Sequence, residues 1–182
     1  MGKKVGFVCF GEVNTPFERL QLKHDEALRG LNTLGYELTD AGIVIDDEKY
    51  ETAEKAISLL KGRDYDCLIL CIAGWIPTHA VIRVSDEFRQ LPMVLWGLCG
   101  WYENGRLITT ADQAGTTALR PALEAMGYTF KYVYSVVNKP LPLKKIGAYV
   151  SACHARTALR STRIGTMGYR DMLLYGTQYE GN

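Results

Sequence analysis

The stretch from Leu68 to Val81, LILCIAGWIPTHAV, marks the change from a buried strand to the start of a helix. Its first part is apolar almost throughout, which is typical of parallel strands covered on both faces. Gly74 ends the apolar run, and Trp75, Pro77 and His79 follow it. The pattern predicts a strand that presents a large aromatic ring and a histidine at its carboxyl end, either as packing or as the edge of a site.

Short apolar runs alternate with longer amphipathic segments on both sides of this stretch. The predicted strands are residues 3–10, 36–45, 66–74, 92–98 and 128–136, and the predicted helices are residues 16–34, 46–62, 78–89, 112–126 and 141–162. Residues 99–108 are predicted to be irregular. Strands and helices joined by compact links pair in parallel through right-handed crossovers. We therefore expect an α/β protein with a doubly wound, mostly parallel sheet, flavodoxin-like in its three α/β/α layers, and ligands at the carboxyl ends of its strands.

Composition and charge limit the class of protein. The chain has 182 residues, of which 47% are hydrophobic and 23% charged, and its formal net charge is +1. Such a surface has no general attraction to nucleic acids or anionic membranes, and no apolar run reaches the ~20 residues that a membrane span needs. The scattered cysteines indicate reduced thiols, those in strands being buried. We expect a cytoplasmic protein without nucleic-acid or membrane partners.

The loop after the first predicted strand lacks the features of a phosphate site. Its sequence, FGEVNTPFE, contains one glycine, so neither the dinucleotide fingerprint nor a Walker loop is present. No serine lies in a G-x-S-x-G elbow, and the spacing of carboxylates and histidines gives no metal-binding trio. His24 is expected on the exposed side of the first helix, and His154 within the last helix. We therefore predict no catalytic residue and no metal ligand in this chain.

Four segments, in this order, resemble the amino-terminal region of the L-fucose isomerase/L-arabinose isomerase family. They are LILCIAGWIPTH, LPMVLWGLCG, TTADQAGTTALRPALEAMGY and TRIGTMGYRDMLLYGTQYE. The last is the most specific, because family members carry an Arg–hydrophobic–Gly, a short loop and a Met-containing apolar stretch there. The resemblance spans nearly the whole chain.

The resemblance implies an activity and an organisation. Enzymes of this family interconvert aldoses and ketoses by moving a proton between adjacent carbons, with a divalent cation, usually manganese, that polarises the substrate oxygens. Their metal-binding residues lie beyond the point where this sequence ends. The chain is therefore expected to be a first domain, residues 1–163, with residues 164–182 starting the connection to a second domain. Alone, it is expected to be inactive and to ligate no Mn²⁺.

The resemblance also implies substrate contacts. Family members form trimers or hexamers in which the first domain of one subunit covers the active site of its neighbour. Trp75 matches an aromatic residue that reaches the sugar there, and Gln113 in ADQAGT matches a substrate-contacting glutamine, although the family's nearby histidine is missing. The first loop offers Glu12, Asn14 and Arg19. We select Asn14 and Arg19 as further substrate-binding candidates, with Arg19 either a sugar-hydroxyl donor or a surface charge.

Three more residues are candidates for contacts between subunits. Trp101 and Tyr102 lie in the polar segment GWYENG, where an exposed aromatic pair indicates an oligomer contact. His79, at a predicted helix start, is assigned to the same interface. The alternative to an isomerase domain is a stand-alone flavodoxin-like binding or regulatory module without catalytic activity. The sequence does not distinguish fucose, arabinose or a similar sugar as the ligand.

Overall fold

The structure, a computed structural model, describes residues 2–136 and 139–164. The strands are β1 (Lys4–Phe10), β2 (Glu37–Val44), β3 (Cys67–Ile72), β4 (Met93–Cys99), β5 (Trp101–Glu103), β6 (Arg106–Ile108) and β7 (Phe130–Val136). The helices are α1 (Phe17–Asn32), α2 (Glu51–Leu60), α3 (Thr78–Ser85), α4 (Asp112–Ala125) and α5 (Leu143–Ser161), and a 3₁₀ turn (Asp86–Phe88) follows α3. The predicted connection to a second domain, apart from Ile164, lies outside the described residues.

A five-stranded sheet forms the centre of the described chain. Its order is β2-β1-β3-β4-β7, and every neighbouring pair is parallel. Counted along the chain, the parallel strands have the order 2-1-3-4-5, which is the flavodoxin-like arrangement. The prediction of a doubly wound parallel sheet is therefore confirmed. The strand order reverses between β1 and β3, so the carboxyl ends of these strands flank the position where such folds bind ligands.

Helices cover both faces of the sheet and give the three predicted layers. One core cluster joins β-strand side chains to α2, α3 and α4 through residues such as Leu60, Val81 and Leu119. The other joins the opposite faces of the strands to α1 and α5. Trp96 of β4 lies in the second cluster, fully buried, and its indole N–H donates to Ser135 Oγ at 3.1 Å.

The cysteines agree with an expectation drawn from composition. All five cysteines are buried and free of disulfides, as expected of small apolar side chains in strands and helix faces. Over residues 2–136 and 139–164, the helices include none with the length and apolar character needed to cross a bilayer.

Residues 99–108 were predicted to be irregular, and this prediction is wrong. Strands β5 and β6 pair antiparallel, with Glu103 opposite Arg106, and form a hairpin (residues 101–108). Its turn residues, Asn104 and Gly105, have φ values of 49° and 74°. A two-residue turn with both φ values positive matches the right-handed twist of the strands it joins, and Asn-Gly is its preferred sequence.

His24 was predicted to be exposed on α1, and the structure contradicts this. The residue is only 5% exposed, and its ring nitrogens lie 3.0 Å from Asp40 Oδ1 and 3.0 Å from Asp25 Oδ1. The hydrogen bond to Asp40 is the main cause that raises the pKa of His24 to about 9, against the effect of burial. The helical repeat places residue 24 on the same face as the buried Leu20 and Ala27, which is why this polar ring is enclosed.

Candidate functional site

The carboxyl edge of the sheet, where β3 and β4 end, is held together by a buried lysine. Lys23 of α1 donates from Nζ to the carbonyl oxygen of Ala73 at 2.6 Å and to that of Leu98 at 2.7 Å. Its third donor bonds Asp112 Oδ2 at 2.7 Å, and the two side chains are only 6% and 1% exposed. All three ammonium donors therefore have acceptors, which compensates for the loss of water around the charge.

Asp112 connects this lysine to the first turn of α4. Its Oδ2 atom also accepts the N–H of Gly100 at 2.7 Å, and its Oδ1 accepts the N–H of Gln113 at 3.0 Å. A carboxylate at a helix N-terminus also interacts favourably with the helix dipole. Gly100 has a φ of 72°, a left-handed conformation that glycine adopts without steric cost. One carboxylate thus fixes the end of β4, the entry to the hairpin and the start of α4.

Trp101 lies over two cations at the same edge. Its ring centroid is 5.7 Å from the Arg19 guanidinium carbon and 5.6 Å from Lys23 Nζ. Arg19 also forms an ion pair with Glu103 of the hairpin at 2.7 Å. Trp101 and Tyr102 were predicted to form an exposed pair on a loop, but both lie in β5. Trp101 is half-buried within its own chain, whereas Tyr102 is exposed, and their contact with another subunit stays a prediction.

Trp75 is both packed and accessible. Its backbone N–H donates to the carbonyl oxygen of Thr110 at 3.2 Å, and a Cβ atom placed on Gly115 would lie 3.5 Å from Trp75 Cα and Cδ1. The start of α4 therefore supports Trp75, while part of its side chain remains exposed. Gln113 is exposed on the same turn of α4. Trp75 and Gln113, two of the predicted substrate-binding residues, therefore both lie near the start of α4. Gln113 is two positions from Gly115, the residue that faces Trp75, and so points to a different side of the helix.

Asn14 and His79 lie in other parts of the carboxyl edge. Asn14 is exposed in the loop after β1, and its amide donates to Glu12 Oε1 at 3.1 Å. His79 is exposed at the start of α3 and packs edge-to-face against Tyr50, with ring centroids 5.9 Å apart. Tyr50 immediately precedes α2, so His79 contacts a different element from the hairpin that carries Trp101.

Sequence reasoning missed Lys23 and Asp112, the two most buried charged residues of this edge. A signal exists for Lys23, because it follows Leu20 by three residues and precedes Ala27 by four, on the apolar face of the predicted helix. Asp112 lies at a predicted helix start. Carboxylates are common at this position of a helix, so the residue gave no sign of burial. Only the three-dimensional fold joins the two residues, which are 89 positions apart.

The carboxyl edge combines paired and exposed charges around a small cavity. A cavity of about 250 Å³ is lined by Lys23, Glu26, Cys99, Lys139 and other residues. The Asp112 carboxylate is bound to Lys23, and the Glu103 carboxylate to Arg19. Glu26 and Lys139 add one charge of each sign to the lining of the cavity. Elsewhere on this edge, aromatic faces and the Gln113 amide suit recognition of a polar molecule.

Two further results bear on the resemblance to sugar isomerases. Among the residues that the structure describes, no three His, Cys, Asp or Glu side chains lie together in a way that could hold a metal ion. We therefore assign no manganese ligand to them. A comparison of the chain with models of known protein families and with curated protein sequences finds no match. The resemblance remains a prediction that rests on the four segments quoted above.

Proposed function

We propose that this chain is the first domain of an aldose–ketose isomerase of the fucose/arabinose isomerase type, and that its carboxyl edge contributes Trp75 and Gln113 to a sugar site. The observation that carries the proposal is the position of Trp75, which is partly exposed and packs against α4 at Gly115. A rigid indole face packs against the apolar C–H face of a sugar and excludes water from it. The Gln113 amide can both donate to and accept from sugar hydroxyls.

A neighbouring subunit would complete this site. The cavity of about 250 Å³ at the carboxyl edge is lined by residues other than Trp75 and Gln113, so it does not enclose the proposed sugar contact. Tyr102 and Leu107 lie opposite each other in the hairpin and are 48% and 55% exposed, and Phe17 at the start of α1 is 60% exposed. Exposed apolar side chains beside an incomplete site favour coverage by a second copy. A trimer or hexamer would provide that coverage.

The chemistry would then be divided between this chain and the rest of the enzyme. In the proposed assembly, Trp75 excludes water from one face of the sugar, and Gln113 fixes the direction of a hydroxyl group. We assign the metal ligands and the carboxylates that move the proton to parts of the enzyme outside the described residues. The sugar is a small aldose or ketose, and the described contacts favour neither L-fucose nor L-arabinose.

Saturation-transfer NMR on the chain tests the sugar contact. With L-fucose or L-arabinose at millimolar concentration, saturation of the protein's aromatic protons should reach the sugar C–H protons. Trp75→Ala should abolish this transfer. Tyr134→Ala, which removes a 54% exposed tyrosine from β7, should leave it unchanged. The oligomeric state is measured on the same samples by sedimentation over a range of protein concentrations.

The outcomes separate the two candidate functions. Transfer that depends on Trp75, in a chain that self-associates, supports the isomerase domain. Transfer that survives Trp75→Ala would contradict the site proposed here. A chain that stays monomeric and transfers no saturation to either sugar would favour the stand-alone binding or regulatory module.

A further inference from the structure

The amino edge of the sheet, where β1 and β3 begin, holds a larger cavity than the carboxyl edge. Its volume is about 700 Å³, which is within the ~300–1,000 Å³ range of small-molecule pockets. Phe88, Leu91 and Ala158 give its wall an apolar part, and Asp66 and His154 are among its polar lining residues. The last turns of α5 and the segment before β3 form two of its sides.

Asp66 and His154 form a hydrogen-bonded pair in this lining. Asp66 is only 4% exposed, and its Oδ2 lies 2.9 Å from His154 Nδ1 and accepts the backbone N–H of Lys4 at 2.9 Å. Burial raises the pKa of Asp66, but the hydrogen bonds from Lys4 and His154 outweigh burial and hold the pKa below its ordinary value. The carboxylate is therefore ionised at neutral pH and can only accept, so His154 Nδ1 carries a proton.

This tautomer determines what the other ring nitrogen offers. In neutral imidazole with the proton on Nδ1, Nε2 is a hydrogen-bond acceptor. His154 lines the cavity, its side chain is 31% exposed, and its recorded hydrogen bond within residues 2–136 and 139–164 is the one from Nδ1 to Asp66. A complementary ligand therefore has an O–H or N–H donor.

The charges around the cavity balance, which favours a neutral ligand. Its lining holds three cations and three carboxylates: Lys4, Lys61, Arg63, Asp64, Asp66 and Glu87. Helix α2 ends at Leu60, directly before the lining residue Lys61, and α5 ends at Ser161 in the lining. Helix C-termini carry partial negative charge. Lys61 is engaged by Glu87, with Nζ 2.9 Å from Oε2. The apolar wall suits an aromatic ring. A ring that carries the donor group buries apolar area against this wall, and that burial adds to the affinity.

We propose that the amino-edge cavity binds a small planar aromatic compound of the phenol class, with its ring against Phe88 and Leu91 and its hydroxyl donating to His154 Nε2. The site is independent of the carboxyl edge and of any sugar bound there. The proposed site binds its ligand and carries out no reaction. Asp66 holds the proton of His154 on Nδ1, so that Nε2 is available as a hydrogen-bond acceptor.

A matched pair of ligands tests the hydroxyl contact on the full chain at pH 8. 2-Naphthol has the donor, whereas 2-methoxynaphthalene has the same ring system with the donor blocked by a methyl group. Equilibrium dialysis gives the affinity for each. The wild-type chain should bind 2-naphthol about five-fold more tightly, the usual net effect of one neutral hydrogen bond.

Two histidine variants supply the controls. His154→Asn keeps an N–H donor for Asp66 and removes the Nε2 acceptor, so the preference for 2-naphthol should disappear. His79→Asn changes an exposed histidine at the opposite edge and should keep the full preference. Wild-type chain that binds neither compound, or binds both equally, overturns the proposal, as does a preference that survives in a folded His154→Asn. If that variant fails to fold, nuclear Overhauser contacts between the His154 ring and bound 2-naphthol in the wild-type chain decide, and their absence overturns the proposal.

Discussion

Replacing Lys23 with methionine should be one of the most destabilising single changes in this chain. The variant keeps the apolar stem and volume of the side chain but leaves the Asp112 carboxylate, 1% exposed, without its cation. The N–H of Gly100 remains as a hydrogen-bond donor to it. Removing one partner of a buried ion pair costs about 3–5 kcal/mol, a large share of the ~5–15 kcal/mol by which domains are stable.

A second substitution shows whether the uncompensated charge is the cause. In the wild-type background, Asp112→Asn should destabilise by about 3 kcal/mol, because Lys23 loses its counter-charge. In the Lys23→Met background the same change removes the unpaired charge and keeps an acceptor for Gly100. It should therefore raise stability by about 1–2 kcal/mol relative to Lys23→Met alone. The sign of the effect reverses between the two backgrounds.

Urea unfolding gives the free energy of unfolding of the wild type, the two single variants and the double variant. The unfolding is monitored by tryptophan fluorescence and by far-UV circular dichroism. Lys144→Met, at an exposed position of α5, is the matched control and should change stability by less than about 0.5 kcal/mol. The reasoning fails if Asp112→Asn lowers stability by the same amount in both backgrounds. That result would mean that the two side chains contribute independently.

Two further predictions concern pH and backbone conformation. Because the pKa of His24 is raised from 6.5 to about 9 by its hydrogen bond to Asp40, its contribution is fully present below pH 6.5 and is lost as the pH rises through 9. In urea unfolding, wild type should therefore exceed His24→Gln in stability by on the order of 2 kcal/mol more at pH 6 than at pH 10. Gly127→Ala should cost about 1 kcal/mol, because its φ is 77°. Gly147→Ala, inside α5 with its nearest neighbour atom at 3.7 Å, should instead stabilise by up to about 1 kcal/mol; equal melting temperatures for these two variants would contradict this.

Helix α1 illustrates what the sequence predicts and what it leaves open. The spacing of apolar residues predicts the buried face of this helix, which would comprise Phe17, Leu20, Ala27, Leu31 and Leu34. Leu20, Ala27 and Leu31 are buried, whereas Phe17 at the first turn is 60% exposed. Lys23 and His24 occupy the same face, yet their residue types suggested exposure. Their burial depends on carbonyl and carboxylate partners from distant segments, and a local pattern does not contain that information.

The hairpin was missed for a different reason, because its signal is local and was available. Asn104-Gly105 between short alternating segments is a strong hairpin signature, but the polar residues around it favoured a loop. The hairpin is short, but it changes the surroundings of a candidate site residue. The hairpin holds Glu103 where it pairs with Arg19, so Arg19, predicted as either a sugar donor or a surface charge, has an ion-pair partner within the chain.

The backbone groups that Lys23 and Asp112 bind explain why a buried ion pair occurs at this position. Two apolar side chains of similar volume often give comparable or greater stability, so the pair is poorly explained by stability alone. Lys23 bonds the carbonyl of Ala73, close before Trp75, and its partner Asp112 directly precedes Gln113. Directional bonds to these two points fix the end of β3 relative to the start of α4, which nondirectional apolar packing does less well. The residues that the proposed sugar contact needs are therefore positioned by the same charges that the fold would otherwise be expected to avoid.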